Sequence, residues 1–452
     1  MLSIDKPLLL QGGTVIDGRG GPPFRADVAI VGDRIAGVGE TFGEGVGEGG
    51  SEGVGGPDWQ VIDVAGCTVM PGLIDAHCHV TFGEPSSNDE LFFHREQSQA
   101  MLLAAFNVPK LLRAGVTGFL DADCLFNLGP ALRDAINAGM VEGPRMASGM
   151  NALLTAAGGT AGRLIPDAGT LGYAQVVRNR DEMVQVVRQQ VKYGADWIKV
   201  HVTGSVPNRV GELAVWNLDE LKAITDTAHA LEVPTVAHCR NAHSTLLAAQ
   251  AGVDLILHAS FLDEPALQAV IDAGSAIAPT FTFLANLADY GAKVGAATSQ
   301  VDVFRGEIAA TAEMLRVAYR EGVKLLCGSE SGFSLTPYGH WHAREMELFV
   351  RELDLTPLEA ISCATRNGAL ALRRDFDSIG VVAVDASADV IVIDGDPTAD
   401  IAILGDRTKL RHVISRGREV DLHRPWPQRS ALPGETVGRW STQLLTREVV
   451  HP

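Results

Sequence analysis

From about Thr68 onwards, short apolar runs alternate with longer stretches in which apolar residues recur every three to four positions. The short runs predict strands, and the longer ones predict amphipathic helices between them. There are eight strand candidates, in the order LIDAHCHV, GVTGFLDA, RMASG, DWIKVHV, VPTVAHC, VDLILHAS, AIAPTF and VKLLCGSE. Eight strand–helix repeats predict an α/β fold, a closed (β/α)8 TIM-like barrel. A doubly wound open sheet is the alternative, but no glycine-rich phosphate turn follows the first strand.

The two ends of the chain have a different pattern, in which β-branched runs are punctuated by Gly and Asp. We expect residues 1–68 and 375–452 to pair into one small β-sandwich domain beside a barrel of residues 69–374. Residues 41–58 are rich in Gly and Glu, which predicts a mobile loop. The irregular segment from residue 423 onwards is expected to dock on the barrel or on another subunit.

Composition narrows the class of protein. The 452 residues include 55 acidic and 37 basic side chains, and the formal net charge of −18 disfavours binding to nucleic acid or to anionic membranes. Six scattered cysteines, and a first segment without a signal-peptide pattern, are typical of reduced thiols in the cytoplasm. No apolar run approaches the ~20 residues of a membrane span. We therefore expect a cytoplasmic protein with no nucleic-acid or membrane partner. A homo-oligomer that acts on a small-molecule substrate is a further expectation, which composition does not supply.

Four histidines lie at the predicted strand ends. His77 and His79 are two residues apart at the end of the first strand, so both imidazoles project from the same face. His238 and His258 end two further strands. Because the carboxyl ends of barrel strands meet at one face of a barrel, these side chains are expected to converge. Several imidazoles at one point predict a metal centre, whereas a single histidine pair would often be structural.

Two further residues fit this centre. Lys199 lies in the otherwise apolar strand DWIKVHV, where an unpaired ammonium costs several kcal/mol. A salt bridge to a barrel carboxylate would neutralise it, but the nearby histidines favour carbamylation, which makes the amine a carboxylate able to bridge two cations. Glu330 ends the eighth strand and is predicted to bind metal and to accept a proton from water. The alternative for Glu330 is a loop or helix-capping carboxylate.

These residues and their surroundings resemble the amidohydrolase superfamily, in particular its imidazolonepropionase-like and Xaa-Pro dipeptidase-like branch. The similarity is carried by TVIDG, PGLIDAHCHV, LLRAGVTG, YGADWIKVHVTG, VAHCRN, AGVDLILHASFLD and SADVIVIDGDP. The resemblance implies a more buried metal held by His77 and His79, and an outer metal held by His238 and His258. It further implies that carbamylated Lys199 bridges the two metals. Glu330 would bind the buried metal and shuttle protons.

The sequence departs from the family pattern at three places. The family normally has Asp in a GTDxG segment where this chain has Glu330 in GSESG. Dipeptidase-like members often carry His in GGHGD, where this chain has Thr160 in GGTAG, and Tyr where it has Trp216. By resemblance that His and Tyr contact the polar groups of a peptide, so their replacement weakens a dipeptidase interpretation. Trp216 would offer substrate an apolar wall and one hydrogen-bond donor.

Further candidate substrate contacts are less specific. His201 follows Lys199 by two residues and therefore shares its strand face. Arg209 is a candidate for binding a substrate carboxylate, and His340 and His342 lie in the loop after the eighth strand. For the arginine and for the two loop histidines, contact with solvent or a surface acid is the alternative.

Together these observations predict a binuclear metal-dependent amidohydrolase with carbamylated Lys199 and two divalent ions. Zn suits imidazole and carboxylate ligands best, while Co, Mn, Ni and Fe compete in such sites. The expected substrate is a small apolar or aromatic amide, N-acyl amino acid, urea or carbamate. A Xaa-Pro-type dipeptidase, a cyclic-amide hydrolase of the imidazolone type and a non-catalytic scaffold of the same fold are the alternatives.

Overall fold

The computed structural model describes residues 6–40, 54–93, 95–373, 378–433, 435 and 440–451. Strands in these ranges are β1 Leu8–Val15, β2 Phe24–Val31, β3 Arg34–Gly39, β4 Gln60–Asp63, β5 Thr68–Pro71, β6 Leu73–Cys78, β7 Val116–Asp121, β8 Arg145–Ser148, β9 Ala152–Leu154, β10 Ala174–Val176, β11 Ile198–His201, β12 Thr203–Ser205, β13 Glu212–Ala214, β14 Thr235–Cys239, β15 Leu255–His258, β16 Ala276–Ala278, β17 Val390–Ile393, β18 Leu410–Ser415 and β19 Arg418–Glu419.

Helices in the same ranges are α1 Asn88–Phe93, α2 Gln97–Leu112, α3 Gly129–Asn137, α4 Arg180–Lys192, α5 Leu218–His229, α6 Ala242–Gln250, α7 Glu264–Ala273, α8 Phe281–Tyr290, α9 Val301–Arg320, α10 Arg344–Leu353, α11 Pro357–Ala364 and α12 Arg447–Val450. Several of them begin at a side-chain cap. Asn217 and Asn241 each accept a hydrogen bond from the backbone three residues ahead in a capping box, and Asp263 caps α7. None of the helices described here has both the length and the apolar character needed to cross a bilayer.

Parallel strands and helices alternate through the middle of the chain, which confirms the predicted α/β fold. One sheet has the order β6-β7-β8 and another the order β10-β9-β11-β14-β15-β16. The amide of Trp197, immediately before β11, donates to the carbonyl of Ser148 in β8 at 3.1 Å. The predicted strand VKLLCGSE lies between β16 and β6, since the Leu326 amide donates to Ile277 and the Ala76 amide donates to Cys327.

That last segment is not a regular strand, contrary to the sequence prediction. It touches its neighbours through isolated parallel bridges, Ile277 with Leu325 and Cys78 with Ser331. The physical reason lies in one carboxylate: the backbone amide and the hydroxyl of Ser329 both donate to Asp75, at 3.0 and 2.5 Å. The amide that would continue the ladder is therefore bonded to a side chain.

The two terminal segments meet in one sheet, of order β19-β18-β17-β5-β1-β2-β3 with β4 paired to β1. The antiparallel pair β5–β17 joins the N-terminal strands to the C-terminal ones. The expected domain boundary between residues 68 and 69 falls inside β5. The boundary at residue 375 and residues 41–53 of the predicted loop lie outside the described residues. A sandwich arrangement of this domain remains a prediction.

The described part of the C-terminal segment packs on loops of the central α/β region of the same chain. The Trp341 indole donates to the Leu445 carbonyl at 2.6 Å, and the Trp440 amide donates to the Ser86 carbonyl at 2.8 Å. Leu445 and Val450 are buried against Trp341. The segment therefore covers one side of the region where the parallel strands end. All six cysteines are free thiols, and five of them are buried.

Candidate active site

The four strand-end histidines come together in the interior. The ring centroids of His77 and His79 are 4.9 Å apart, those of His77 and His258 5.2 Å, and those of His238 and His258 4.6 Å. All four side chains are buried. The potential ligand atoms of His77, His258 and Glu330 lie within 4.8 Å of one another. Side chains from β6, β14 and β15 and from the irregular eighth segment thus converge on one point.

Three of these imidazoles are oriented by a hydrogen bond to one ring nitrogen. The Nδ1 atom of His77 lies 3.0 Å from Thr280 Oγ1, and that of His79 is bonded to the backbone carbonyl oxygen of Asp123 at 3.1 Å. His79 Nδ1 also lies 2.7 Å from Asp123 Oδ1, a contact between ionisable groups without hydrogen-bond geometry. These contacts fix the ring planes and leave Nε2 of both residues for another partner. Protein metal sites use this arrangement, since a ligating histidine donates its other N–H to a carboxylate or a similar acceptor.

His238 is the third imidazole held in this way, and His258 differs from the other three. The Nε2 atom of His238 lies 2.8 Å from Glu212 Oε2, which leaves its Nδ1. The buried Nε2 of His258 has no hydrogen-bond partner among the described residues. A buried, unpartnered ring nitrogen costs free energy unless something binds it. Burial and the nearby Lys199 hold the pKa of His77 well below its ordinary value, and burial and His238 do the same for His258. Both rings are therefore neutral and able to offer a lone pair.

Asp123 and Glu212 complete the site, and sequence analysis did not identify either residue. The Asp123 carboxylate lies 2.7 Å from both His79 Nδ1 and His201 Nε2. Burial opposes its ionisation, but the charges of Lys199 and His79 outweigh this effect and hold the pKa of Asp123 well below its ordinary value. Asp123 follows the end of β7 by two residues. Its position just after a strand end, like that of the histidines, could have identified it as a candidate site residue.

Glu212 comes from the short β12–β13 hairpin, which has no periodic signal in the sequence. Its Oε2 accepts from Thr203 Oγ1 at 2.6 Å and lies 2.8 Å from His238 Nε2, while Oε1 accepts from Thr160 Oγ1 at 3.0 Å. Although burial opposes its ionisation, His238 and Arg240 hold the pKa of Glu212 well below its ordinary value. The carboxylate is therefore an anion that orients His238.

Lys199 lies in β11 with a side chain only 1% exposed. Among the described residues, no carboxylate oxygen lies within 4.0 Å of Lys199 Nζ, the distance that defines an ion pair. Burial lowers the pKa of Lys199, although Asp123 and Glu330 act in the opposite direction. The structure therefore gives no support to the salt-bridge alternative within the part of the chain that it describes.

Glu330 has a φ of 53°, which is uncommon for a residue with a side chain. Its amide donates to the His77 carbonyl at 2.7 Å, and its own carbonyl accepts from Thr336 Oγ1 at 2.7 Å. These bonds hold the backbone in the conformation that directs the carboxylate towards the histidines. Burial raises the pKa of Glu330 above the ordinary value for a glutamate. Its carboxyl group therefore takes up a proton more readily than an exposed one.

A cavity of about 350 Å³ adjoins these residues. Its lining combines the polar centre with a wall of large apolar side chains: Phe82, Leu91, Tyr173, Phe283, Leu287, Phe304, Phe333, Leu335 and Trp440. Phe82 stacks on His79, with centroids 4.4 Å apart and planes 2° from parallel. The cavity has the size and composition of a small-molecule site.

The predicted substrate contacts divide into two groups. Thr160 and His201 line the cavity. Trp216 and Arg209 do not. The Trp216 indole is buried and donates to the His201 carbonyl at 2.7 Å, so its donor is occupied. Arg209 is exposed between β12 and β13, and its guanidinium donates to the carbonyl of neighbouring Asn208.

His340 and His342 also lie outside this cavity, in contrast to the sequence prediction. His342 is buried, with Nδ1 2.6 Å from Asp75 Oδ2 and with Nε2 accepting from the Gly339 amide at 3.0 Å. Both ring nitrogens are therefore occupied by the protein. His340 lines a different cavity beside Trp426, where burial lowers the pKa of His340 to about 3.

Comparison with known proteins shows where this site belongs. The sequence profile of the amidohydrolase family matches residues 68–420, which is most of the chain. The chain belongs to the amidohydrolase family. This amidohydrolase is 28% identical over 380 residues to an ochratoxinase from Aspergillus niger, covering 77% of this chain and 75% of that protein. The predicted superfamily is confirmed, and a hydrolase acting on carbon–nitrogen bonds follows from it.

Two solved structures are similar to this amidohydrolase over 92% of its length. A prolidase solved with N-methylphosphonate-L-proline has 28% identity and a TM-score of 0.77, covering 92% of this chain and 99% of the other. A Xaa-Pro dipeptidase with bound methionine has 26% identity and a TM-score of 0.75 over the same shares. The imidazole and carboxylate groups described above suit a divalent cation such as zinc, and the unpartnered nitrogen of His258 points to such an occupant.

Proposed function

We propose that this amidohydrolase is a binuclear metal-dependent enzyme that hydrolyses an amide-like C–N bond in a small substrate with an apolar or aromatic group. The observation that carries the proposal is the approach of the potential ligand atoms of His77, His258 and Glu330 to within 4.8 Å of one another. His79 and His238 complete the donor set, each with one ring nitrogen already bonded and the other available. Zinc is the proposed metal, with Co, Mn, Ni or Fe as substitutes.

Lys199 is the proposed bridge between the two ions. Four imidazoles, one carboxylate and one buried amine without a carboxylate partner leave this amine as the group to be converted. Carbamylation forms an N–C bond between Nζ and CO2. Starting from the ammonium, it releases two protons and replaces a cation by an anion that has two oxygens. An anion at this point would offset the charge of two divalent ions.

The positions of these residues also support a closed (β/α)8 barrel. Hydrogen bonds link β8 to β11 through Ser148 and Trp197, and they link β16 to β6 through residues 326 and 327. Together with the hydrogen bonds inside the two parallel sheets, these bonds connect each strand to the next around the site. In such a barrel the functional groups lie at the carboxyl ends of the strands, as His77, His238 and His258 do.

The proposed mechanism assigns a task to each group of residues. Two bound cations would supply activation of water and polarisation of the scissile carbonyl. Glu330 accepts a proton from the attacking water on a carboxylate oxygen and delivers it to the departing nitrogen, which would otherwise leave as a poor anion. Asp123 and Glu212 hold the rings of His79 and His238. The aromatic wall excludes bulk water from the reacting groups.

The cavity supports a substrate class. Its apolar wall favours a small amide, N-acyl amino acid, urea or carbamate with an aromatic or aliphatic group. A Xaa-Pro-type dipeptidase is the second candidate. It is favoured by the TM-score of 0.77 with the prolidase that holds N-methylphosphonate-L-proline.

Metal dependence and substrate class can be tested in one experiment. Purified protein is stripped with a chelator, reloaded with Zn, Co, Mn, Ni or Fe with or without bicarbonate, and screened against amides, N-acyl amino acids, ureas, carbamates, esters and Xaa-Pro dipeptides. The proposal expects no turnover after chelation and recovery with metal plus bicarbonate. Turnover that persists at full rate in metal-free protein would contradict it.

A further inference from the structure

Trp440 is a part of the cavity wall that comes from outside the region matched by the family profile. The other apolar lining residues described lie between positions 82 and 335, whereas the profile ends at residue 420. The Trp440 ring lies 5.4 Å from that of Phe333 in an edge contact. The Phe333 ring in turn lies 5.8 Å from that of His79, a proposed metal ligand. Trp440 is therefore one aromatic ring removed from the proposed metal centre.

The C-terminal strap, residues 440–445, is held by three separate loops. Its backbone amides donate to one carbonyl in each loop, each at 2.8 Å: Trp440 to Ser86, Thr442 to Val294 and Leu445 to Ser334. These loops follow β6, α8 and the irregular eighth segment. The buried Ser441 hydroxyl also donates to the Ser334 hydroxyl at 2.8 Å. Because Trp440 and the residue after it are both bonded to these loops, the backbone that carries the indole is fixed.

The cavity that Trp440 borders is small and largely apolar. Its volume of about 350 Å³ lies near the lower end of the range of ~300–1,000 Å³ for small-molecule sites. Phe283 and Phe333 meet edge to face at 5.5 Å, and Leu287 and Phe304 belong to the same wall. An alkyl chain that extends from the metal centre along this wall gains free energy with each methylene that leaves water. That gain ends where the chain meets the indole ring.

We propose that Trp440 is a specificity-determining residue that limits the length of the substrate's apolar group. The enzyme then accepts a single ring or a short alkyl group and rejects long-chain amides. This inference rests on the proposed function, because the reacting group of the substrate must be held at the metal centre. A longer chain must displace an indole whose backbone is bonded to three loops, or it leaves the scissile carbonyl short of the metals. A clash of this kind discriminates against the longer group.

The test measures binding of straight-chain alkyl hydroxamates, from two to twelve carbons, to the zinc-loaded protein by titration calorimetry. The hydroxamate group chelates a metal ion whichever substrate the enzyme uses, so the alkyl chain measures how far the cavity extends. We expect the wild-type affinity to rise about fourfold per methylene as apolar surface is buried, and to fall once the chain reaches Trp440.

Trp440→Ala should move this limit by at least two methylenes. The first chain that the wild type rejects should then bind at least about tenfold tighter to the variant, while acetohydroxamate binds equally to within about twofold. Trp440→Leu should move the limit by a smaller amount. Trp426→Ala is the matched control, because Trp426 lies beside His340 in the other cavity and its loss should leave the whole series unchanged.

The outcomes separate this inference from the proposed function. Wild-type affinity that rises through the whole series, or a limit at the same chain length in Trp440→Ala, would overturn the inference and leave metal-dependent hydrolysis standing. If no hydroxamate binds more tightly to zinc-loaded protein than to metal-free protein, the proposed function and the inference both fail. If Trp440→Ala does not fold, as judged by its thermal midpoint and zinc content, the wild-type limit and its shift in Trp440→Leu decide.

Discussion

Replacing Asp123 by asparagine removes the negative charge that two histidines share at the centre of the site. The carboxylate lies 2.7 Å from His79 Nδ1 and 2.7 Å from His201 Nε2, and its side chain is 2% exposed. Asparagine has nearly the same shape, so the packing around this position is preserved. What changes is the strength of the contact that keeps Nε2 of His79 directed towards the proposed metal.

The size of the effect follows from these contacts. A hydrogen bond to a charged group contributes about 1.5–3 kcal/mol. Of the two rings, His201 Nε2 has such a bond to the Asp123 carboxylate, while His79 Nδ1 keeps its bond to the Asp123 backbone carbonyl and loses the charge beside it. The net loss should therefore be close to one charge-assisted bond, about 2 kcal/mol. Since 1.4 kcal/mol corresponds to a factor of ten, metal affinity should fall roughly 30-fold. That lies within the range of about 10–100-fold typical of residues that orient a metal ligand.

The assay is competition for zinc between the protein and a chromogenic chelator at pH 7. Asp121→Asn is the matched control, because Asp121 is a buried carboxyl group two residues before Asp123. Burial raises the pKa of Asp121 to about 8. That group is already mostly neutral at pH 7, and an amide replaces it without loss of charge. An affinity of Asp123→Asn within threefold of the wild type, or an equal loss in both variants, would refute the role assigned to Asp123.

Three further predictions concern other residues of the site. Burial raises the pKa of Asp121 from its ordinary 3.8 to about 8, so the folded protein keeps a proton that the unfolded chain releases, and stability should fall as the pH rises from 4 to 8. The thermal midpoint of metal-free Asp121→Asn should therefore rise relative to that of the wild type between pH 5 and pH 8. A constant difference between the two midpoints would contradict this. His342→Ala should lower the thermal midpoint by several degrees and leave KM nearly unchanged, because both ring nitrogens of His342 bond to the protein. A large rise in KM at unchanged stability would instead identify His342 as a substrate contact. Glu330→Gln, which keeps the shape but not the proton acceptor, should lower kcat at least about 100-fold, and a loss under tenfold would remove Glu330 from the proton transfer.

The convergence of the histidines could be predicted because it follows from local rules. The two-residue period of a strand places His77 and His79 on one face, and the shared direction of parallel strands brings the ends of β6, β14 and β15 together. The structure brings these side chains within contact distance. Lys199 was identifiable for a similar reason, since a charged residue inside an apolar strand needs an explanation.

The other parts of the site depend on contacts that no local pattern contains. Glu212 reaches His238 from a three-residue strand of a hairpin, and Glu307 reaches Arg240 across 67 positions of sequence. Trp216 points into the core because the His201 carbonyl accepts its N–H, a pairing set by tertiary packing. The eighth strand was predicted as regular, but a side chain of β6, Asp75, takes the amide of Ser329. These features require the three-dimensional arrangement of distant segments.

The proposed metal centre can be tested by an anomalous difference map from crystals of zinc-loaded protein, collected on both sides of the zinc absorption edge. We expect two peaks among His77, His79, His238, His258 and Glu330, with density extending from Lys199 Nζ between them. A map without peaks at this position, or with zinc bound only elsewhere in the protein, would contradict it.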